Sequence, residues 1–268
     1  MEFNLADLFE LVVDTVPGRL AVVSGDRRLT YSDLDRRANR LAHRLAAAGV
    51  GPDDAVGLQL VNGPEYLEGM LACFKLRAVP VNINYRYVDA ELRHLYADAG
   101  LVGLIHHRQF AAMVGPALEA MADPRVVLEV DDDRGLPPSA WAEDYEAALR
   151  RGSDERPRAT RSGDDLYCVY TGGTTGAPKG VLWRQEDIFF AAMGGGDPLQ
   201  LATSSRRRPS SRIGCSTPAW WRSPSRRSCT RARTGSRSRR STAAARSSCY
   251  RVGGSTRRRP GGWSPTSG

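Results

Sequence analysis

The last 70 residues of this 268-residue chain contain no aspartate, no glutamate and no lysine. They carry 17 arginines and 16 serines, for a formal charge of +17. All 30 acidic residues lie in 1–198, beside 21 lysines and arginines, for a net charge of −9. The overall charge of +8 therefore describes the tail and says nothing about the rest. No run approaches the ~18 apolar residues needed to cross a bilayer, which excludes a membrane span. Glu2, Asp7 and Glu10 stand where a secretory signal would carry basic residues, so no signal peptide is read. The five cysteines show no metal or redox spacing. Cys73 and Cys168 lie in apolar runs and read as small core hydrophobes, and the odd count points to a reducing, cytoplasmic setting.

What is present in 1–198 alternates between two periodicities. Asn4 caps a helix with Leu5, Leu8, Phe9, Val12 and Val13 on one face. Strands at Ala21 to Val23 and Leu29 to Tyr31 flank a Gly25-Asp26 turn. A helix starting at Ser32 carries the stripe Leu34, Ala38, Leu41, Ala42 and Leu45 and stops at Gly49. Strand Val56 to Leu60 leads to helix Pro64 to Arg77, with Leu67, Met70, Leu71 and Phe74 on its face. Strand Val79 to Ile83, helix Asp89 to Ala99 and strand Leu101 to Ile105 follow. Then come helix Gln109 to Met121, with Gly115-Pro116 as a weak point, strand Val126 to Val130 and helix Trp141 to Arg150. Strand Leu166 to Tyr170 closes the series. Such alternation predicts an α/β fold, a parallel sheet covered by helices on both faces, with ligands taken at the carboxyl ends of the strands.

The most specific stretch follows that last strand: Tyr170-Thr171-Gly172-Gly173-Thr174-Thr175-Gly176-Ala177-Pro178-Lys179-Gly180. Glycines let backbone N–H groups converge on one concavity, threonines add hydroxyl donors, and Lys179 adds a point charge. That donor set suits a polyphosphate. It departs from the common P-loop, because Pro178 precedes the lysine and no Ser or Thr follows it.

Tyr170 to Gly180 resembles the phosphate-binding loop of the AMP-forming adenylating enzymes, the superfamily of acyl-CoA synthetases, peptide-synthetase adenylation domains and luciferases. Three upstream segments agree: Leu29-Thr30-Tyr31 through Leu34, Ala38 to Ala42, Leu45 and Gly49; Asp54 to Leu58; and Leu71 to Lys75 with Ala78 to Asn82. The resemblance runs from about Asn4 to about Pro198. It implies an incomplete N-terminal part of that family's large domain over 1–198. It also implies a ligase that joins a carboxylic acid to ATP, giving acyl-AMP and pyrophosphate, and then to coenzyme A, with Mg²⁺ assisting. Thr171, Gly172, Gly173, Thr174, Thr175, Gly176 and Lys179 would bind the nucleotide phosphates. A preorganised donor of this kind lowers such a barrier by on the order of 3 kcal/mol. No catalytic residue is mapped, because nothing in 199–268 resembles the family's acyl pocket, ribose-binding acid or catalytic lysine. Trp183 to Ile188 resembles the branch acting on bulky lipid acids. Read without the family, it is a strand-to-helix connection capped by Asp187.

Other groups read as structural. Adjacent His106 and His107 face opposite sides of a strand, and His43 and His94 have no acidic or cysteine partner at ligand spacing. Asp131 to Asp133 reads as a solvated loop, and Arg36-Arg37 and Arg150-Arg151 as solvated helix faces. No metal site is expected. A generic phosphate-binding NTPase and a nucleic-acid-binding protein acting through the tail are the competing functions.

Residues 199–268 show no periodicity and too little apolar content to offset chain entropy, so disorder is expected. Incidental polyanion binding follows from the arginines, with no specific nucleic acid implied. A basic arm ordinarily mixes lysine with arginine. Here lysine is missing and Trp220-Trp221, Cys215 and Trp263 have no role in an arm, so an out-of-frame reading of the gene is the expectation. Sequencing the coding DNA tests it. A frame shifted near codons 198–201 should continue the ligase pattern, whereas a shifted frame without that pattern would leave a genuine arginine-rich arm.

Overall fold

A computed structural model describes residues 3–171 and 177–196. The tail lies outside the described residues, and so does the sequence expectation made for it. Helix α1 (Leu5–Thr15) is followed by a two-stranded antiparallel hairpin, β1 (Leu20–Ser24) and β2 (Arg27–Thr30), turning at Gly25 with φ +56°. Next come α2 (Tyr31–Ala47), β3 (Ala55–Gln59), α3 (Pro64–Leu76), β4 (Val79–Asn82), α4 (Asp89–Ala99) and β5 (Leu101–His107). The chain continues through α5 (Ala111–Ala117), β6 (Val126–Val130), β7 (Glu143–Asp144), α6 (Tyr145–Arg151), β8 (Leu166–Thr171), β9 (Lys179–Arg184) and α7 (Gln185–Ala192).

Seven strands form one sheet in the order β7-β6-β5-β3-β4-β8-β9. Every pairing is parallel except the last, where β9 returns antiparallel along β8. Side chains alternate across the strands and feed two cores. On one face Val56, Leu58 and Leu128 meet Leu41 and Leu45 of α2, Ala72 of α3 and Leu149 of α6. On the other, Val79, Val81 and Leu104 meet Leu92, Leu95 and Tyr96 of α4 and Val114 of α5. The α/β fold with helices on both faces is thus observed.

Local chemistry explains most boundaries. Asn4 caps α1, its Oδ1 accepting from the Ala6 N–H at 2.9 Å. Helix α2 starts before Ser32: Thr30 and Asp33 form a reciprocal capping box, with the Asp33 N–H donating to Thr30 Oγ1 at 3.1 Å and the Thr30 N–H to Asp33 Oδ2 at 3.0 Å. Gly100, at φ +58°, ends α4. The expected helix over Gln109 to Met121 is α5 flanked by two short 3₁₀ turns, with Pro116 inside α5 one residue before its end. The expected helix from Trp141 begins only at Tyr145. Asp144 caps it, accepting from the Ala147 N–H at 2.7 Å, while Trp141 stacks on His106 and Glu143–Asp144 adds a short strand.

Two corrections concern charge. Of the expected α3 face Phe74 is buried and Leu67 is exposed, and the buried residues also include Glu65, Glu68, Gly69, Ala72, Cys73 and Lys75. Gly69 explains part of the rotation, because a Cβ there would sit 2.8 Å from Leu58 Cδ2, so a larger residue would force the Leu58 side chain to shift. Ion pairing explains the rest. Glu68 accepts from Arg37 Nε at 2.7 Å and from the Tyr145 hydroxyl at 2.6 Å. Arg37 is therefore not a solvated side chain; it ties α2 to α3 and to Glu146 of α6. Burial still pushes the Glu68 carboxyl above its ordinary range, against the pull of Arg37.

Lys75 is fully buried, with its ammonium 2.5 Å from Glu10 Oε1 and 2.8 Å from Asp35 Oδ1. Arg156 joins from the segment before β8, reaching Asp14 and Asp35, and Arg161 reaches Asp7 and Glu10. Burial alone would raise the Glu10 carboxyl, but hydrogen bonds from Arg161 and Lys75 outweigh it and hold it below the usual value. Removing the lysine leaves two carboxylates crowded in a buried site with only Arg156 and Arg161 to offset them. Lys75→Met should lower unfolding stability by about 3 kcal/mol, read as a lower urea midpoint at unchanged slope.

His106 and His107, on opposite sides of β5, are both buried. Burial pushes the His106 imidazole down from 6.5 to about 4, against the nearby Glu129 carboxylate, and also lowers His107. The unfolded chain takes up a proton at His106 below pH 6.5, whereas the folded chain takes it up only near pH 4. Stability present above 6.5 is therefore lost progressively over that interval, by up to roughly 3 kcal/mol. Urea titrations from pH 7 to pH 4.5 should show a shallower fall for His106→Phe than for the unchanged chain, with the residual slope carried partly by His107.

Candidate functional site

The carboxyl ends of β3, β4, β5 and β8 lie at one rim of the sheet, and the Gly/Thr segment leaves the last of them. It does not lead into a helix. β9 pairs with β8 from Leu166↔Arg184 to Thr171↔Lys179, so the segment is the connection of an antiparallel hairpin. Gly172, Gly173, Thr174, Thr175 and Gly176 lie outside the described residues. Thr171 and Lys179 stand opposite each other at the two stems, Thr171 exposed and Lys179 half-buried.

The stems are rigidly built. Tyr170, one residue before Thr171, is buried, and its hydroxyl donates to Asp98 Oδ2 of α4 at 2.6 Å. Gly180, one residue after Lys179, faces that ring: a Cβ there would lie 3.0 Å from two ring carbons and 3.2 Å from Cys168 Sγ. A larger residue at the final glycine of the motif would thus have to displace its first aromatic by a few tenths of an ångström. Cys168 is buried beneath both, and burial pushes its thiol up to about 12, so it stays protonated. Cys73 is likewise buried and raised by burial, and both act as apolar packing. Pro178 is buried, and its carbonyl accepts from His94 Nε2–H at 3.2 Å. His94 and Asp98 have no signature in the sequence; only the packing of α4 against β8 and β9 brings them to the stems.

The segment after Lys179 is strand β9 running into α7. Asp187 is not its cap: it sits in the first helical turn and pairs with Arg184, the residue at the N-terminal boundary. The remaining candidates stay apart. His43 Nε2 donates to the Glu155 carbonyl at 3.0 Å. His106 packs on Trp141, and His107 Nδ1 accepts from the Val61 N–H at 3.1 Å. Asp131 receives Arg108, and Asp132 accepts from the Gln109 N–H. Among the described residues no three His, Cys, Asp or Glu side chains gather as a metal site, and no helix is long and apolar enough to cross a membrane.

The described residues thus form a mostly parallel α/β sheet with the Thr171 and Lys179 stems of a hairpin at its carboxyl rim. The sequence profile of the AMP-binding enzyme family matches residues 9–223, and the chain belongs to that family. It is 46% identical over 220 residues to a 3-oxocholest-4-en-26-oate–CoA ligase of Rhodococcus rhodochrous, covering 78% of this chain and 40% of that protein. It is 45% identical over 196 residues to a medium/long-chain-fatty-acid–CoA/3-oxocholest-4-en-26-oate–CoA ligase of Mycobacterium tuberculosis, covering 72% and 36%. The chain therefore spans about two fifths of the length of these curated relatives. Among solved structures, a fatty acyl CoA synthetase of Mycobacterium tuberculosis superimposes with a TM-score of 0.61 at 28% identity over 72% of this chain and 37% of that one. An anthranilate CoA ligase bound to anthranoyl-AMP superimposes with a TM-score of 0.68 at 22% identity over 74% and 38%, a likeness of fold.

Proposed function

We propose that this chain carries the triphosphate-binding part of an AMP-forming acyl-CoA ligase whose acid is lipid-like. The observation that carries the reading is the pairing of Thr171 and Lys179 across the stems of a braced hairpin at the carboxyl rim. A hydroxyl and an ammonium held at fixed stems offer hydrogen bonds and charge to departing pyrophosphate without reorganisation. The glycine and threonine residues 172–176 belong to the same proposal through their motif. In the reaction, a carboxylate oxygen attacks the α-phosphorus of MgATP, pyrophosphate leaves, and the thiol of coenzyme A then displaces AMP. Mg²⁺ enters with ATP as part of the substrate. The family match and the acids named for the relatives support this reading over a generic NTPase and over nucleic-acid binding by the tail.

Residues 1–198 are proposed as a partial adenylation domain in a cytoplasmic protein, with an out-of-frame tail beyond. Because the family profile reaches residue 223, the junction is proposed as the zone from 198 to 223. No residue of this chain is assigned to the acyl pocket or to the catalytic-lysine role, so ATP–pyrophosphate exchange by this chain alone is expected to be absent.

Equilibrium binding of MgATP to the purified full chain tests the reading. Binding should be measurable and should weaken at least tenfold in Lys179→Ala, as expected for one charge-assisted contact. No binding, or binding indifferent to Lys179, would overturn it.

A further inference from the structure

We propose that His94 and Asp98 are positioning residues that clamp the two stems of the hairpin to one face of α4. The inference rests on the phosphate-binding reading above. His94 and Asp98 are four residues apart on α4 and therefore lie on the same face, one helical turn from each other. Each takes one stem. Asp98 Oδ2 accepts the Tyr170 hydroxyl at 2.6 Å, adjacent to Thr171. His94 Nε2–H donates to the Pro178 carbonyl at 3.2 Å, adjacent to Lys179. Neither hydrogen bond belongs to the β8–β9 ladder, and each ends one residue from a group assigned to the phosphates.

The chemistry of the two anchors suits the purpose. Proline has no N–H, so the carbonyl of Pro178 is the polar backbone group through which an outside side chain can hold that residue. Tyr170 is buried over Gly180, so its hydroxyl is committed to α4 and is not offered to the nucleotide. The side chains of His94 and Asp98 are exposed and fill no core space, so their replacement should leave the two cores intact. The rest of α4 is fixed independently by buried Leu92, Leu95, Tyr96 and Ala99. The helix is thus a rigid bar, and the two hydrogen bonds transmit its position to the spacing between Thr171 and Lys179.

The test compares the full chain with His94→Leu, which removes the donor, and His94→Gln, which restores an amide N–H at similar reach. Amide hydrogen exchange at residues 169–171 and 179–181 is followed without ligand, and MgATP affinity is measured in parallel. His94→Leu should speed exchange at Lys179 and Gly180 and weaken MgATP binding, each by roughly three- to tenfold, the worth of one net hydrogen bond. Its urea midpoint should fall by no more than that one hydrogen bond is worth, at unchanged slope, and His94→Gln should behave as the unsubstituted chain. Unaltered exchange in His94→Leu overturns the clamp whatever the nucleotide result, and so does a His94→Gln variant that matches His94→Leu. Faster exchange with undiminished MgATP affinity overturns the positioning role. If the unsubstituted chain binds no MgATP, the phosphate reading fails, and the exchange data alone then decide whether the clamp exists.

Discussion

A lysine ammonium taken wholly out of water is the constraint around which this molecule is arranged. Lys75 sits at the end of α3, between Glu10 of α1 and Asp35 of α2. An isolated charge in that position would be prohibitive, and it persists because two carboxylates and their own arginine partners surround it. Arg156 and Arg161 belong to the polar link between α6 and β8, and through them the knot orders a stretch with no secondary structure of its own. Arg161 also donates to the Lys75 carbonyl at 3.3 Å. Immediately after it, Asp165 accepts from the Ser162 N–H, from Asn4 Nδ2 and from Arg77.

The consequence reaches the hairpin. Strand β8 begins at Leu166, directly beyond this anchored turn, and its far end is Thr171. The N-terminal helix is held by the same knot, and Gln185 at the start of α7 accepts from the Leu5 N–H at 2.9 Å. The first residues of the chain thus brace both the strand that enters the hairpin and the helix that follows it. On the opposite face of the sheet, α4 meets the stems directly. Ionic packing below and a helix beside the hairpin together hold Thr171 and Lys179 across from each other.

Much of this was legible from residue patterns. The strand and helix order, the caps at Asn4 and Gly100, and the stripe on α2 follow from local periodicity and terminal chemistry, and all are observed. The α3 face was only partly legible: Phe74 is buried and Met70 packs on the core as periodicity implied, but Glu65, Glu68 and Lys75 are buried as well, and apolar periodicity carries no information about ion pairs. Arg37 escaped for the same reason: its partner Glu68 is 31 residues away in the chain. The region from Gln109 to Arg150 was misjudged in detail: the first helix is partly 3₁₀, and a capping aspartate makes the second start only at Tyr145.

For the site, the motif from Tyr170 to Gly180 by itself suggested the type of ligand proposed above, because its donors are local and their spacing is written in eleven consecutive residues. The sequence also determined that the chain divides into an acidic, patterned part and an arginine-rich, unpatterned one. Only tertiary structure decided that the loop closes a hairpin, that Tyr170 points at α4 and lies over Gly180, and that His94 and Asp98 reach the stems. The physical reason is range. Backbone preference and donor inventory act over a few residues, whereas these contacts span 72 and 84 positions of chain and exist only once the sheet has brought α4 beside β8 and β9.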